Sequence, residues 1–210
     1  MNIKFVGIAA SAVLASSAQA GLTVGDTFTV SRLTTSPSRL ITINYDGSIS
    51  SSSSSARSGG DYAQAGMQVF RQTKKNDVDL PSGVTINGFC VEVAEAFPDD
   101  PIQYTVTELT GVPEESPPGN MSANQALLIQ DLYAKNYADI VDTTNDSGWS
   151  DTSNEVAAFQ IMIWEISHES FSSSTLSGMV SELSIEFGAF QVTNAYSADV
   201  SPCNAASMNF

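Results

Sequence analysis

The chain has 210 residues, of which 23 are Asp or Glu and 8 are Lys or Arg, so its formal net charge is −15. A surface this acidic repels nucleic acids and anionic membranes, and we expect neither as a partner. With two distant cysteines and one histidine the sequence offers no zinc site, and we expect no metal or cofactor.

The first twenty residues have the pattern of a secretory signal peptide. Lys4 provides the positive start, an apolar stretch runs from Phe5 to Leu14, and Ala18-Gln19-Ala20 is a small-residue cleavage site. The apolar stretch is too short to span a bilayer, and no other stretch reaches about 18 apolar residues. We therefore expect cleavage after Ala20 and a secreted or cell-surface protein with one mature domain over residues 21–210.

Residues 21–82 predict strands around a serine-rich loop. Apolar residues recur between Gly21 and Ile43 with enough alternation to favour short strands separated by turns. Residues 47–60 are nearly all serine, have no apolar surface to bury, and are predicted to form a loop. Residues 83–206 follow as the core of the same domain.

Two strands are predicted at the start of this core, over Val84–Val93 and Gln103–Leu109. The acidic, proline-containing stretch Phe97–Pro101 lies between them, which favours an antiparallel pair. Residues 183–187 and 189–192 also have the pattern of strands.

Two helices are predicted between these strands. The first runs from an N-cap at Ser122 to about Ala138. The second begins at a cap, Ser153 or Asn154, and ends near His168. The pattern predicts an α+β fold in which short antiparallel strands, arranged like a sandwich or barrel, carry two main helices.

The second helix carries a polar side chain where an apolar one is expected. Gln160 lies within the mostly apolar run Glu155–Ile166. At about 100° per residue it falls between Val156, Ile163 and Trp164, on a face that should be buried. Because a buried amide is costly unless its donors and acceptors are satisfied, this side chain requires a partner.

Cys90, in the strand-like run Val84–Val93, is the candidate partner. A cysteine sulfur can attack a glutamine side-chain carbonyl and expel ammonia, which leaves an intramolecular thioester. An incoming amine then displaces the sulfur and forms an amide, whereas water hydrolyses the thioester. The reaction needs close approach, a dry site and few competing nucleophiles. Cys90 between Phe89 and Val91, facing Gln160 on a buried helix, would meet these needs.

Two segments resemble the signatures of bacterial thioester domains: Phe89-Cys90-Val91-Glu92 and Phe159-Gln160-Ile161-Met162-Ile163-Trp164. That family has an apolar residue, Cys, an apolar residue and often an acid at the first signature, and Gln-x-x-Ile-Trp at the second. The stretch Leu132–Tyr137 is similar to the branch found in exported Gram-negative proteins that end in a PEP-CTERM sorting tail. The resemblance covers residues 83–206. Met162 stands where the family usually has Ala, and the sequence shows no sorting tail.

The resemblance implies a mixed α/β fold and covalent capture of an amine-bearing protein or polyamine on a host or neighbouring surface. It implies that Cys90 and Gln160 form the thioester, and that Phe89, Glu92 and Trp164 support or shield it. Since each thioester reacts once, the expected activity is adhesion rather than enzymatic turnover.

Other uses of the same residues remain open. Cys90 can form a disulfide with Cys203, the simplest use of two cysteines in an exported protein, or remain a buried thiol. Gln160 can be a core glutamine bonded to backbone groups, and Trp164 is expected in the core. These alternatives predict a non-reactive extracellular structural or binding module.

Three further groups are expected to be structural. Glu92 is predicted to be a strand-edge carboxylate, and His168 an exposed histidine; without a Gly-x-Ser-x-Gly motif, a hydrolase is disfavoured. The region around Trp149 is predicted to be an acidic, solvated loop. Calcium would suit its oxygen ligands, but the spacing does not match an EF-hand; the aspartates concerned are Asp139, Asp142, Asp146 and Asp151.

Overall fold

The computed structural model describes residues 21–45, 61–93, 101–112, 119–141, 149–187 and 189–196. The predictions for the signal peptide, the serine-rich loop and Cys203 lie outside these residues. The elements are strands β1 Thr27–Tyr45, β2 Asp61–Lys75, β3 Val78–Gly88, β4 Ile102–Thr105 and β5 Phe190–Tyr196, and helices α1 Ala123–Val141, α2 Trp149–His168 and α3 Leu176–Glu182, with a short 3₁₀ turn at Leu109–Gly111.

The five strands form one antiparallel sheet in the order β3-β2-β1-β4, with β5 also paired to β1. On the edge opposite β2, β1 pairs with β4 near its start and with β5 near its end. Together with the helices, this sheet confirms the α+β class. Strand β1 is longer than predicted, with 19 residues, whereas the strand predicted over Gln103–Leu109 is shorter and ends at Thr105. Bulges between Thr29 and Ser38 absorb its irregular stretches in place of the predicted turns.

The two strands predicted to pair with each other do not. Instead, β3 pairs with β2 and β4 pairs with β1. The reason is a tight turn between β2 and β3, where Asn76 and Asp77 both adopt positive φ, as two-residue hairpin turns require. Strand β3 ends at Gly88, so Cys90 lies just beyond the strand rather than on it.

The predicted cap of α1 is confirmed. The Gln125 backbone N–H donates to Ser122 Oγ over 3.2 Å, and the Ser122 N–H donates to Gln125 Oε1 over 2.9 Å. This reciprocal pair is a capping box, and it satisfies donors that the helix would otherwise leave without acceptors. The helix ends at Val141, slightly later than predicted.

The predicted start of α2 is wrong. The helix begins at Trp149, so Ser153 and Asn154 lie inside it. Asn154 does not cap the helix, and its Oδ1 accepts a hydrogen bond from Arg39 Nε over 2.9 Å. This contact ties the first half of α2 to β1.

The acidic region around Trp149 is partly helical. Asp139 belongs to α1 and Asp151 to α2, while Asp142 and Asp146 lie outside the described residues. Among the residues that the structure describes, no cluster of His, Cys, Asp or Glu could hold a metal ion.

The third helix was not predicted. The serine-rich segment after α2 contains α3, whose N-cap Thr175 accepts a hydrogen bond from the Gly178 backbone N–H. Residues 183–187 form a turn rather than a strand, and the strand predicted over residues 189–192 corresponds to the start of β5. The segment that contains α3 is short and rich in serine, so its sequence shows no clear spacing of apolar residues that would predict a helix.

Helix α2 lies at the centre of the molecule, in contact with β1, β2, β5 and α1. All its residues from Phe159 to His168 are buried, as expected of a helix enclosed on every side. It separates two apolar clusters. The first, which we call the α1-side core, includes Met67, Phe89, Val91, Ile129, Val156, Phe159, Ile163 and Ile166. The second, the β1-side core, includes Ile41, Ile43, Ala65, Ala157, Ile161, Trp164, Ile185 and Phe190.

Within the described ranges no helix has both the length and the apolar character needed to cross a membrane.

Candidate functional site

The segment after β3 leaves the sheet and runs beside α2. Phe89 packs in the α1-side core, with its ring centroid 4.8 Å from that of Phe159. Val91 joins the same core, whereas Cys90 packs against the β1-side core. The Ser167 hydroxyl donates to the Val91 carbonyl oxygen over 3.2 Å. The alternating side chains therefore hold this short segment between the two cores.

The structure brings Cys90 and Gln160 together through two hydrogen bonds. The Cys90 backbone N–H donates to Gln160 Oε1 over 2.8 Å, and Gln160 Nε2 donates to the Cys90 carbonyl oxygen over 2.7 Å. Gln160 is 0% exposed. Since a carbonyl bond is about 1.2 Å long, the Gln160 side-chain carbonyl carbon lies within about 4 Å of the Cys90 nitrogen. The amide is thus fixed against the cysteine that the sequence paired with it.

The Cys90 thiol is only partly buried and has a neutral acceptor. Its Sγ donates to the backbone carbonyl oxygen of Glu92 over 2.8 Å. A carbonyl acceptor favours the thiol over the thiolate, because the thiolate has no proton to donate. Any reaction of the sulfur with Gln160 therefore requires the thiol to give up this hydrogen bond.

All three residues expected to support the pair are buried: Phe89, Glu92 and Trp164. Phe89 is enclosed by Phe159 and by Tyr133, whose ring centroid is 6.2 Å away. Burial raises the pKa of the Tyr133 hydroxyl well above its ordinary range. Trp164 is 4% exposed and packs against Phe190 with ring centroids 6.1 Å apart, so it is a core residue as predicted. Aromatic side chains thus lie in both of the cores that the Phe89–Val91 segment contacts.

The prediction for Glu92 is wrong. It is a buried residue that lies beyond the end of β3, not a carboxylate at a strand edge. The chain leaves the sheet after Gly88 and runs beside α2. Glu92 is therefore buried against the interior instead of lying at the edge of the sheet. Its backbone carbonyl is the group that contacts the Cys90 thiol.

The prediction for His168 is also wrong. It is 0% exposed, and its ring lies against Phe190 with centroids 6.4 Å apart. Its Nδ1 shares a hydrogen bond of 2.8 Å with Ser167 Oγ and lies 3.1 Å from the Trp164 carbonyl oxygen. His168 is buried because strand β5 covers the end of α2. The spacing of apolar residues along the helix does not indicate this contact.

Glu165 is a second buried polar residue of α2, and its burial was not predicted. It is 0% exposed, and its Oε1 accepts a hydrogen bond from the Ser184 backbone N–H over 2.8 Å. Its Oε2 has no partner among the described residues. Burial raises the pKa of this carboxyl to about 8, the Ser184 hydrogen bond lowers it, and the charge of Glu169 raises it further. Like Gln160, Glu165 interrupts an apolar run of the sequence. That interruption is the feature from which its burial could have been predicted.

A separate polar cavity of about 370 Å³ lies between the start of α1, the end of α2 and α3. Ser167 reaches it from α2, and Glu169 contributes a carboxylate. The remaining lining is mainly hydroxyl and amide groups, with one aromatic ring from Phe171. Such a lining suits a small ligand with hydroxyl or ammonium groups.

Comparison of the chain with protein-family models, with curated proteins and with solved structures finds no match.

Proposed function

We propose that this protein captures amine-bearing partners covalently through an internal thioester between Cys90 and Gln160. The observation that carries the proposal is the fixed position of the Gln160 amide, held by both of its polar atoms on the Cys90 backbone. Positioning of two reacting groups within a folded chain replaces a bimolecular encounter by a much faster intramolecular one.

The thioester forms by acyl transfer within the chain. Cys90 Sγ bonds to the Gln160 side-chain carbonyl carbon, the carbon–nitrogen bond breaks, and the thiol proton leaves with the nitrogen as ammonia. The Cys90 N–H already donates to Gln160 Oε1. This hydrogen bond polarises the carbonyl and stabilises the negative charge that develops on oxygen during the attack.

Capture of a partner reverses the exchange with a different amine. The partner's nitrogen bonds to the same carbon, the carbon–sulfur bond breaks, and a proton from the amine returns to the sulfur. The product is an amide, which is far more stable than the thioester, so each molecule reacts once. The proposal therefore describes adhesion and not enzyme turnover.

The surroundings of the pair favour aminolysis over hydrolysis. Gln160 is fully enclosed and lies between the two apolar cores, and exclusion of water slows the competing reaction. The partly buried Cys90 is the side from which a partner would approach. The net charge of −15 attracts cationic groups such as lysine side chains or polyamines. Secretion or display at the cell surface, inferred from the leader-like first twenty residues, belongs to the same proposal.

The test is the intact mass of the exported protein, purified without amine buffers. A thioester makes the chain about 17 Da lighter than its sequence predicts, through loss of ammonia, and methylamine then adds about 31 Da. Cys90→Ala is the matched control, because it removes only the sulfur and should show neither change. Peptide mapping should place the methylamine on Gln160.

If the freshly purified protein has the mass calculated from its sequence and takes up no methylamine, the thioester is ruled out. A deficit of about 2 Da would instead indicate a disulfide between Cys90 and Cys203.

The second candidate is a non-reactive extracellular structural or binding module. It is favoured by the backbone hydrogen bond that each polar atom of the Gln160 amide makes and by the polar cavity lined by Ser167 and Glu169. In this case the role of Gln160 is structural: it hydrogen-bonds the backbone N–H and carbonyl of Cys90, which lie beyond the end of β3. The same mass measurement separates the two candidates.

A further inference from the structure

Trp164 occupies a defined place between the two contacts that hold the Cys90 segment. Gln160 binds the backbone of Cys90, and Ser167, seven residues later on α2, binds the carbonyl of Val91. On a helix, positions 160, 164 and 167 share one face. The Cys90–Val91 segment therefore runs along the face on which Trp164 lies.

The indole N–H of Trp164 has no acceptor among the described residues, although the side chain is 4% exposed. A buried donor without a partner costs about 1–3 kcal/mol. Cys90 and Trp164 belong to the same β1-side core. Among the described residues, the apolar cluster that Cys90 packs against therefore contains a buried hydrogen-bond donor without an acceptor.

We infer that the Trp164 indole N–H is the second donor of an oxyanion hole, whose first donor is the Cys90 backbone N–H. This inference rests on the proposed thioester function. When sulfur or amine attacks the Gln160 carbonyl carbon, the electron pair of the carbonyl bond moves to Oε1. The oxygen then carries a full negative charge, and the single hydrogen bond of the resting amide no longer suffices.

A donor without a partner in the resting state is what such a role requires. Interactions that form only as charge develops accelerate the reaction, whereas those already present in the ground state do not. The carbonyl is restored when ammonia or sulfur leaves, so the indole gains its acceptor only during the reaction and keeps its proton throughout.

The experiment compares wild-type protein with Trp164→Phe, which removes the N–H and keeps an aromatic ring. Two rates are followed by intact mass: loss of ammonia after refolding, and uptake of methylamine by the thioester. Loss of one such donor lowers a rate by roughly 100-fold, and we expect both rates to fall by about that factor. Phe190→Leu is the matched control, because it loosens the packing of Trp164 without removing a donor, and its rates should stay within a few-fold of wild type.

Equal rates in wild type and Trp164→Phe, or equal slowing by Phe190→Leu, would overturn the role of the indole. If Trp164→Phe does not fold, benzothienylalanine at position 164 serves instead, since it keeps the two-ring shape and replaces the N–H by sulfur. A wild type that never loses ammonia removes the proposed function and this inference together. If both rates fall only in the variants that lack the indole N–H, the result supports the thioester function and the role of Trp164.

Discussion

The carboxamide of Gln160 has two consequences that follow from the same geometry. It satisfies the backbone donor and acceptor of Cys90, which have left the sheet, and it brings an electrophilic carbon to a cysteine. Glu165, less than two turns further along α2, is the second polar group buried in this helix. Because its carboxyl is enclosed and next to the charge of Glu169, it holds its proton at neutral pH.

The stability of the protein should therefore fall as Glu165 loses its proton. Its pKa is raised from 4.5 to about 8 on folding, so between these values the native state binds more protons than the unfolded state. The free energy of unfolding then decreases as pH rises from about 4.5 to about 8 and levels off above that. The upper limit of the effect is about 5 kcal/mol.

Glu165→Gln should remove this dependence, since glutamine resembles the protonated acid and does not titrate. The measurement is urea denaturation of both proteins at several pH values. The stability of wild type relative to the variant should decline over that pH range. Glu155→Gln, at an exposed position of the same helix, is the control and should leave the wild-type slope intact. A constant difference between wild type and Glu165→Gln would contradict the prediction.

At the scale of elements, the turn between β2 and β3 decides the strand order. Asn76 and Asp77 adopt φ values of 48° and 63°. The Asn76 side chain accepts from the Thr27 N–H over 2.8 Å and donates to Asp26 over 2.9 Å. The Asn76 hydrogen bond is the main cause that holds the pKa of Asp26 below its usual range, followed by Thr23 and Lys75. This turn joins β3 to β2 and also ties the hairpin to the start of β1.

Asn76→Ala should destabilise the protein by about 2 kcal/mol. The change removes both side-chain hydrogen bonds and places a residue that disfavours positive φ at the turn. Asp77→Gly is the control, because glycine adopts positive φ without strain and the change removes only the exposed hydrogen bond that Asp77 accepts from Gln103; it should alter stability by less than about 1 kcal/mol. Chemical denaturation gives both values. Equal effects of the two changes would show that the side-chain contacts of Asn76 do not matter.

At the scale of the whole molecule, α2 joins the two cores. Ile163 faces the α1-side core and Ile161 the β1-side core, and both are almost fully buried. Because one rigid helix contributes to both, neither core can unfold while the other stays intact. The elements that form these two cores should therefore unfold as one cooperative unit.

Ile161→Ala and Ile163→Ala should each cost about 2–5 kcal/mol, the usual range for truncating a buried isoleucine. Each variant should show a single transition that coincides in tryptophan fluorescence and far-ultraviolet circular dichroism. Leu127→Ala, at a position with 46% exposure on α1, is the control and should change stability by less than about 1 kcal/mol. Separate transitions for the two probes would mean that the cores are independent.

Local patterns predicted the elements whose signals are local. The spacing of apolar residues predicted both main helices, Ser122 and Gln125 form the expected cap, and the alternating stretches predicted a sheet of antiparallel strands. The sequence also singled out Gln160 and Cys90 as partners, because a buried amide needs one. Hydrophobic period, caps and polar interruptions depend on neighbours along the chain, and therefore can be read without a structure.

Contacts between distant residues were decided only by the tertiary structure. The pairing of β3 with β2, the burial of His168 beneath β5 and the inward turn of Glu92 each depend on which element packs against which. The raised pKa of Glu165 and the burial of the Trp164 indole, which has no acceptor within the described part of the chain, arise from the same enclosure of α2. A helical pattern indicates which face is apolar, but whether the opposite face is also covered depends on strands far away in sequence, and here β5 covers it.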